Sequence, residues 1–238
     1  LRINSAKDDA AGLFISQKQT SDIRGIDQSI RNAGDGISLA QTAEGALGQV
    51  SNNVQRLREI AVQASNGTVE DRTGLQKEAD QLTQEISRII QTTTFNGTSL
   101  FDTGGTTSSL TFQVGQDGTA SNQVSLTLSG MTSGLISAFA SSLTATGTVN
   151  VSSAATASAA LVSLETDIDD ISKQRATFGA LQNRFESVIS NLQNYSENLS
   201  ASRSRIMDTD FASETASLTK AQILQQASTS ILAQANQL

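Results

Sequence analysis

Residues 47–64, with the sequence LGQVSNNVQRLREIAVQA, decide the fold class, because their apolar side chains recur in steps of three and four. That spacing is typical of the seam of a coiled coil and differs from the alternation of a strand. Six positions carry it: Leu47, Val50, Val54, Leu57, Ala61 and Ala64. The stretch therefore predicts a long helix whose apolar side must pack on a partner, since helices gain most of their stability from such packing.

The same spacing continues on both sides of a predicted turn. The sequence from Leu1 to about Leu100 reads as helical, interrupted by a turn at 66–68, with Thr68 or Thr73 as the candidate N-cap of the next helix. That second helix has apolar residues at Leu75, Ala79, Leu82, Ile86 and Ile89, and it is expected to end near 92–94.

The C-terminal part of the chain predicts a longer helix. From about Ala159 a stripe continues for on the order of 40 residues without Pro. The apolar members of the stripe are Leu161, Leu164, Ile168, Ile171, Phe178, Phe185, Ile189, Leu192 and Leu199, and Arg175, Gln182 and Ser196 continue it where it turns polar. The last segment, 211–238, is predicted to be amphipathic, with Leu218, Ile223, Leu224, Ile231 and Leu232 on its apolar side.

The middle of the chain predicts a small β part. Residues 110–114 and 124–128 alternate apolar and polar side chains, and the intervening segment contains Asp117-Gly118, which favours a β-hairpin. Residues 131–151 are ambiguous: Leu135, Ile136, Phe139 and Leu143 fit a short helix, and 148–151 a further strand. The Ser/Thr/Ala-rich residues up to Ser158 are interpreted as a surface connection.

Together these elements predict a mainly α fold with a small β part, in which long antiparallel helices form a coiled-coil-like bundle beside a β-hairpin. Residues 1–101 are the N-terminal helical half of a core domain. Residues 102–157 form the hairpin and a short variable outer region. Residues 158–238 are the C-terminal helical half, which packs on the N-terminal half.

Composition excludes several classes of function. The chain of 238 residues has no His and no Cys, so imidazole and thiolate chemistry are excluded, and we expect no enzyme activity, no cofactor and no metal site. A net charge of −7 disfavours nucleic-acid binding. No apolar run is long enough for a membrane-spanning helix.

The carboxylate clusters have two interpretations. Asp167, Asp169 and Asp170 form one cluster, and Asp208 and Asp210 form another. Paired carboxylates can transfer protons or bind Ca²⁺, but on an amphipathic helix they more often face water, which is the reading we prefer.

The residues that carry the helical periodicity also resemble the bacterial flagellin family. At the N-terminal end the resemblance is carried by Leu1–Gly12 (LRINSAKDDAAG), by 31–38 (RNAGDGIS, where most flagellins have Asn in place of Gly34), by 41–47 (QTAEGAL), by 55–63 (QRLREIAVQ) and by Phe95-Asn96-Gly97. At the other end it is carried by 201–206 (ASRSRI), 221–227 (AQILQQA) and 232–237 (LAQANQ). The matching motifs occur in the family's order over about two thirds of the chain.

The resemblance implies a secreted structural protein that polymerises into the bacterial flagellar filament for motility. It also implies that family members extend beyond Leu1 and Leu238, and that the chain contacts copies of itself through core helices and those terminal segments. Export chaperone and cap proteins are implied as further partners, and a host innate immune receptor of the Toll-like class is a candidate partner. The implied location is extracellular, in the flagellum or at the cell surface.

The resemblance also suggests two sets of site residues. Arg56, Ile60 and Glu78 match a helix face that contacts neighbouring subunits and is recognised by the Toll-like receptor, although Ile60 replaces the usual Leu. A solvated helix face with no partner is the alternative. Leu218, Ile223, Leu224 and Ile231 are expected to pack in the filament interior, whereas Leu47, Val54, Leu82, Ile171 and Phe185 are expected in the core of the chain itself.

A rival hypothesis is a flagellin-like surface protein that binds an extracellular polysaccharide. The Ser/Thr/Asn/Gln-rich middle offers hydrogen-bonding groups for it, but Tyr195 is the only Tyr and Trp is absent. Filament formation therefore remains the preferred function.

Overall fold

The computed structural model describes residues 2–101, 108–128 and 149–235, which consist mainly of long helices with two small antiparallel sheets. In chain order the elements are α1 (Ala10–Ser65), α2 (Thr73–Thr92), β1 (Thr94–Phe95), β2 (Thr98–Ser99), β3 (Ser108–Gln113), β4 (Gln123–Leu128), α3 (Ala154–Met207) and α4 (Phe211–Ala235), with a short 3-10 helix at Ala120–Asn122 before β4. The predicted class, mainly α with a small β part, is confirmed.

Helix α1 begins at Ala10 because the residue before it is an N-cap. The Asp9 carboxylate accepts a hydrogen bond from the Gly12 N–H at 2.9 Å, which pairs one of the N–H groups that a helix start leaves free. The prediction that the helix begins at Leu1 is therefore wrong for residues 2–9. From Ala10 the helix continues for 56 residues, and no Pro interrupts it.

The turn between α1 and α2 is closed by Arg72, and neither Thr68 nor Thr73 is the N-cap that the sequence suggested. Arg72 occupies the N-cap position without a capping side-chain bond. Its guanidinium donates instead to the carbonyls of Ala64 at 2.7 Å and Asn66 at 2.9 Å, at the end of α1. Because the last carbonyls of a helix have no partner within it, Arg72 stabilises the end of α1 and holds the turn that leads into α2.

The hairpin of β3 and β4 confirms the predicted β part, and its register pairs Leu110 with Leu126 and Phe112 with Val124. Helix α2 ends at Thr92, as the sequence predicts, and the residues from there to about Leu100, which read broadly as helical, form the small sheet of β1 and β2 instead. Its two-residue turn consists of Asn96 and Gly97, whose φ angles of 49° and 80° are both left-handed, as a tight hairpin turn of the primed type requires.

Helix α3 begins at Ala154 and has 54 residues, so it is longer than predicted. Residues 154–158, expected to be a surface connection, form its first turn. The Thr156 N–H donates to Ser153 Oγ at 3.2 Å and the Ser153 N–H donates to Thr156 Oγ1 at 3.1 Å. This reciprocal pair works as a capping box, which explains why the helix starts here.

The segment before α3 is held by a side chain of α2. Gln76 Nε2 donates to the Val149 carbonyl at 2.9 Å, and Gln76 Oε1 accepts from the Val151 N–H at 2.7 Å. The strand predicted at 148–151 is wrong for 149–151, because the side-chain amide pairs with this backbone where a neighbouring strand would. The short helix considered around Leu135 lies outside the described residues.

The chain divides into two compact units. The first unit combines Leu1–Gly25 with Asn194–Leu238, and the second is Ile26–Gln193. Both α1 and α3 contribute residues to each unit, so each unit contains an early and a late part of the chain.

Polar contacts join α1 to α3 within each unit. In the first unit, Gln19 Nε2 donates to Ser202 Oγ at 3.2 Å. In the second unit, Gln182 Nε2 donates to a carboxylate oxygen of Glu44 at 3.1 Å, and Arg175 lies 3.7 Å from the other oxygen. Two polar positions of the α3 stripe, Arg175 and Gln182, therefore meet Glu44 of α1.

The core of the second unit consists of the apolar stripes of its helices together with residues of the β part. Leu47, Val54, Ile171 and Phe185 are fully buried, as predicted, and Leu82 is partly buried against them. The ring of Phe185 packs edge-on against Phe112 of β3, with centroids 5.3 Å apart and planes at 81°. This geometry is favourable for an aromatic pair and joins the hairpin to α3.

Candidate subunit-contact surfaces

An exposed ion-pair cluster connects α1 to α2, and two of its members are residues that the family resemblance singled out. Arg56 Nη2 lies 2.7 Å from Glu78 Oε1 on α2, and Arg56 Nη1 lies 2.7 Å from Glu59 Oε2 on α1. The hydrogen bonds that Arg56 donates to Glu59 and then to Glu78 raise the pKa of Arg56, so the guanidinium stays charged. The side chain of Arg56 is 51% exposed, which leaves the cluster open to a partner.

Ile60 does not belong to this surface. Its side chain is 1% exposed and lies in the hydrophobic core of the second unit. The sequence-based assignment of Ile60 to a contact face is therefore corrected: its place on α1 points its side chain inward, where burial in the core is favourable. The surface that we call the Arg56 cluster consists of Arg56, Glu59 and Glu78.

Glu59 is the member that the sequence analysis missed. It follows Arg56 by three residues, a spacing that makes side chains neighbours on a helix. That spacing was visible in the sequence. The contact with Glu78 was not, because it depends on the α1–α2 turn that Arg72 closes.

A groove of about 520 Å³ continues from the cluster along the second unit. It is lined by Gln55, Arg58, Glu59, Val62 and Ile168, so α1 and α3 both contribute to it. Val62 is 54% exposed, an apolar side chain beside charged ones. Such a mixed surface is suited to a polar protein contact and offers no catalytic arrangement.

Helix α4 presents the second candidate surface. Every residue from Phe211 to Leu232 is exposed. The four predicted packing residues are 56%, 59%, 57% and 67% exposed at Leu218, Ile223, Leu224 and Ile231. An isolated helix of 25 residues gains no stability from packing, and its large apolar side chains stay in contact with water.

The apolar residues of α4 do not form the single side that the sequence suggested. At about 100° per residue, Ile223 and Leu224 point about 140° and about 120° away from Leu218, in opposite directions around the helix. A helix that is apolar on all sides is suited to a fully enclosed position. Whatever covers α4 must therefore approach it from more than one direction.

The carboxylate clusters divide between the two interpretations. Asp169, Asp208 and Asp210 are exposed, as expected for solvated helix faces. Asp167 contradicts that expectation, since it is 3% exposed. Within the described residues no group of three or more Asp or Glu side chains could hold a metal ion.

None of the helices in the described part of the chain is long and apolar enough to span a bilayer.

Comparison with known proteins identifies relatives along the whole chain. The model of the bacterial flagellin N-terminal helical region matches residues 1–106, and that of the C-terminal helical region matches residues 161–238. A flagellin of Halalkalibacterium halodurans is 45% identical over 239 residues, covering 100% of this chain and 84% of the relative. Flagellin B of Vibrio cholerae serotype O1 is 37% identical over 332 residues, covering 99% of this chain and 88% of the relative.

A solved structure supports the same relationship. The crystal structure of Bacillus cereus flagellin superimposes with a TM-score of 0.56 at 35% sequence identity, covering 68% of this chain and 88% of that one. Neither the relatives nor this structure favours the polysaccharide-binding alternative.

Proposed function

Because the chain belongs to the bacterial flagellin family, we propose that the exposed α4 and the Arg56 cluster are the surfaces through which its copies pack. The chain is a structural subunit that polymerises into the extracellular flagellar filament for motility.

The main support for this proposal is the exposure of the apolar side chains of helix α4. Phe211, Leu218 and Ile231 are between 56% and 82% exposed, so most of each side chain can still be removed from water. Burying such a side chain contributes roughly 1 to 2 kcal/mol. Because the apolar residues lie all around the helix, the best partner is a set of helices from neighbouring copies that encloses α4 in the filament interior.

The experiment compares two neighbouring exposed positions of α4. Leu224→Asp places a charge on an apolar position, and Gln225→Asp places the same charge on a polar one. Both variants should fold like the natural protein, because neither residue is buried. Leu224→Asp should lower the filament yield in electron micrographs far more than Gln225→Asp, because it also removes an apolar side chain whose burial favours assembly, whereas Gln225 is already polar. Equal filament yields from both variants would refute the packing role.

The Arg56 cluster serves a different purpose in the proposal. Its charges are exposed and already paired within the chain, so a contact there adds register and orientation more than affinity. The adjoining groove extends the same surface to α3. We assign this surface to side-by-side contacts between copies.

A matched pair of arginines tests the assignment. Arg56→Ala removes the cluster, whereas Arg88→Ala removes an exposed pair with Glu85 on α2 that has the same i,i+3 spacing. Arg56→Ala should lower filament yield and leave the unfolding midpoint unchanged, and Arg88→Ala should change neither. If both variants assemble equally well, the Arg56 cluster is not a contact surface.

A Toll-like receptor, export chaperones and cap proteins are proposed as further partners. Recognition of the Arg56 cluster by a Toll-like receptor would involve Arg56 and Glu78 but not the buried Ile60. Export chaperone and cap proteins are proposed on the family relationship. A receptor-activation assay with Arg56→Ala would test the first of these, because an unchanged response would exclude the cluster from recognition.

A further inference from the structure

Asp167 is a carboxylate inside the apolar core of the second unit. It lies three residues after Leu164 and four before Ile171, which are 1% and 0% exposed, and Asp167 itself is 3% exposed. These spacings place the three side chains on one face of α3. A carboxylate in such a place is unusual, since Asp is almost never fully buried without a partner. Neither proposed contact surface uses it.

One oxygen of this carboxylate is buried without a partner in the described part of the chain. Among the described residues, its Oδ2 atom accepts no hydrogen bond. The nearby ion pair of α3 joins Lys173 to Asp170 at 3.0 Å. Leaving a buried carboxylate ionised without a partner costs far more free energy than leaving it neutral.

The surrounding charges do not offset this cost. On α1, Arg58 and Glu59 line the groove beside Ile168, one residue from Asp167. Of the charges on the described helices, the one that shifts the pKa of Asp167 is that of Asp170. That charge is of like sign and on the same helix. Burial, and next the charge of Asp170, raise the pKa of Asp167 from 3.8 to about 7.

The sign of the resulting pH dependence follows from linkage. The unfolded chain releases the Asp167 proton near pH 3.8, whereas the folded chain keeps it up to about pH 7. Between these values the folded state binds more protons, so the contribution of Asp167 to stability falls as the pH rises and becomes constant above about 7.

We propose that Asp167 is a proton-controlled switch in the packing of α3. When neutral, the side chain stays buried between Leu164 and Ile171. When ionised, the turn of α3 that carries it opens, so that water reaches the carboxylate. The core of the second unit is therefore tighter on the acid side of neutrality than on the alkaline side. The switch acts within one subunit and does not depend on either contact surface.

The test compares the natural chain with two single variants. Asp167→Asn removes the charge and nearly preserves the shape of the side chain, and Asp169→Asn is the control, because Asp169 is exposed on the same turn. Unfolding in urea is followed by circular dichroism between about pH 5 and about pH 8.5. Over that range the unfolding constant of the natural chain should rise on the order of a hundredfold relative to Asp167→Asn. Asp169→Asn should follow the natural chain.

Two further measurements make the result decisive. The carboxyl carbon of Asp167 in the natural chain should titrate near neutrality by nuclear magnetic resonance, which needs no variant. The amides of residues 164–171 should exchange faster in the natural chain than in Asp167→Asn at alkaline pH and equally at acid pH. Parallel stability profiles of the natural chain and Asp167→Asn, a titration midpoint near 4, or equal exchange at both pH values would each overturn the switch.

Discussion

Gly36 is the position at which one added methyl group tests the packing of the core most sharply. It lies on α1 against Phe185, and a Cβ atom there would stand 2.5 Å from Cζ of the ring. Phe185 is completely buried and packs edge-on against Phe112, so the ring cannot move away without disturbing the hairpin. Gly36→Ala therefore forces a steric clash into a filled region. At Gly48, on the same helix, no described residue has an atom within 4 Å of the equivalent position, the nearby backbone of α1 itself left aside.

The two substitutions should change the free energy of unfolding in opposite directions. Replacing a helical Gly by Ala gains about 1 kcal/mol in helix propensity, and this gain applies at both sites. Overpacking a filled core costs roughly 1 to 3 kcal/mol, and this cost applies only at Gly36. Gly48→Ala should thus raise the free energy of unfolding by about 1 kcal/mol. Gly36→Ala should lower it by about 1 kcal/mol, for a difference of about 2 kcal/mol between the same substitution at two places.

Urea unfolding of both variants beside the natural chain, followed by circular dichroism, measures this difference. In Gly36→Ala the aromatic signals of Phe112 and Phe185 should also shift in a nuclear magnetic resonance spectrum, because the pair must separate. A Gly36→Ala variant as stable as Gly48→Ala would show that the contact between α1 and Phe185 is looser than described, and the reasoning from packing would fail.

Two other substitutions test the hydrogen bonds that hold residues 149–151 and cap the start of α3. Gln76→Ala should lower the free energy of unfolding by about 1 to 3 kcal/mol, because two backbone groups at Val149 and Val151 lose their partner. The control is Gln81→Ala, at an exposed position of α2, which should have no such effect in urea unfolding. Ser153→Ala should lower the free energy of unfolding by about 1 kcal/mol, because the capping box is lost. Ser153→Thr should keep most of that free energy, and equal losses in the two variants would exclude a capping role.

Periodicity in the sequence predicted the helices and most of the core. Leu47, Val54 and Phe185 are buried because a stripe of apolar residues on a long helix has to be covered, and this rule needs no knowledge of the partner. The hairpin was equally readable, since alternation and a turn-rich segment are local signals.

What was missed depended on a contact between distant residues or on a rule applied too broadly. Asp167 was assigned to solvent because charges on helices usually face water, although its spacing from Leu164 and Ile171 already placed it on the buried face. Ile60 was assigned to the surface by resemblance, although it lies three residues after Leu57 on the core side of α1. The role of Arg72 was not readable, because the carbonyls that it binds come into reach only once the turn has formed.

The central claim is that α4, exposed in the single subunit, is enclosed when copies assemble into the filament. Hydrogen exchange measured on the full-length gene product as monomer and as filament tests it directly. Amides of residues 211–235 should exchange rapidly in the monomer, because none of the described residues covers this helix from Phe211 to Leu232. In the filament they should become strongly protected along the whole helix. Exchange that stays as rapid in the filament as in the monomer would contradict the account.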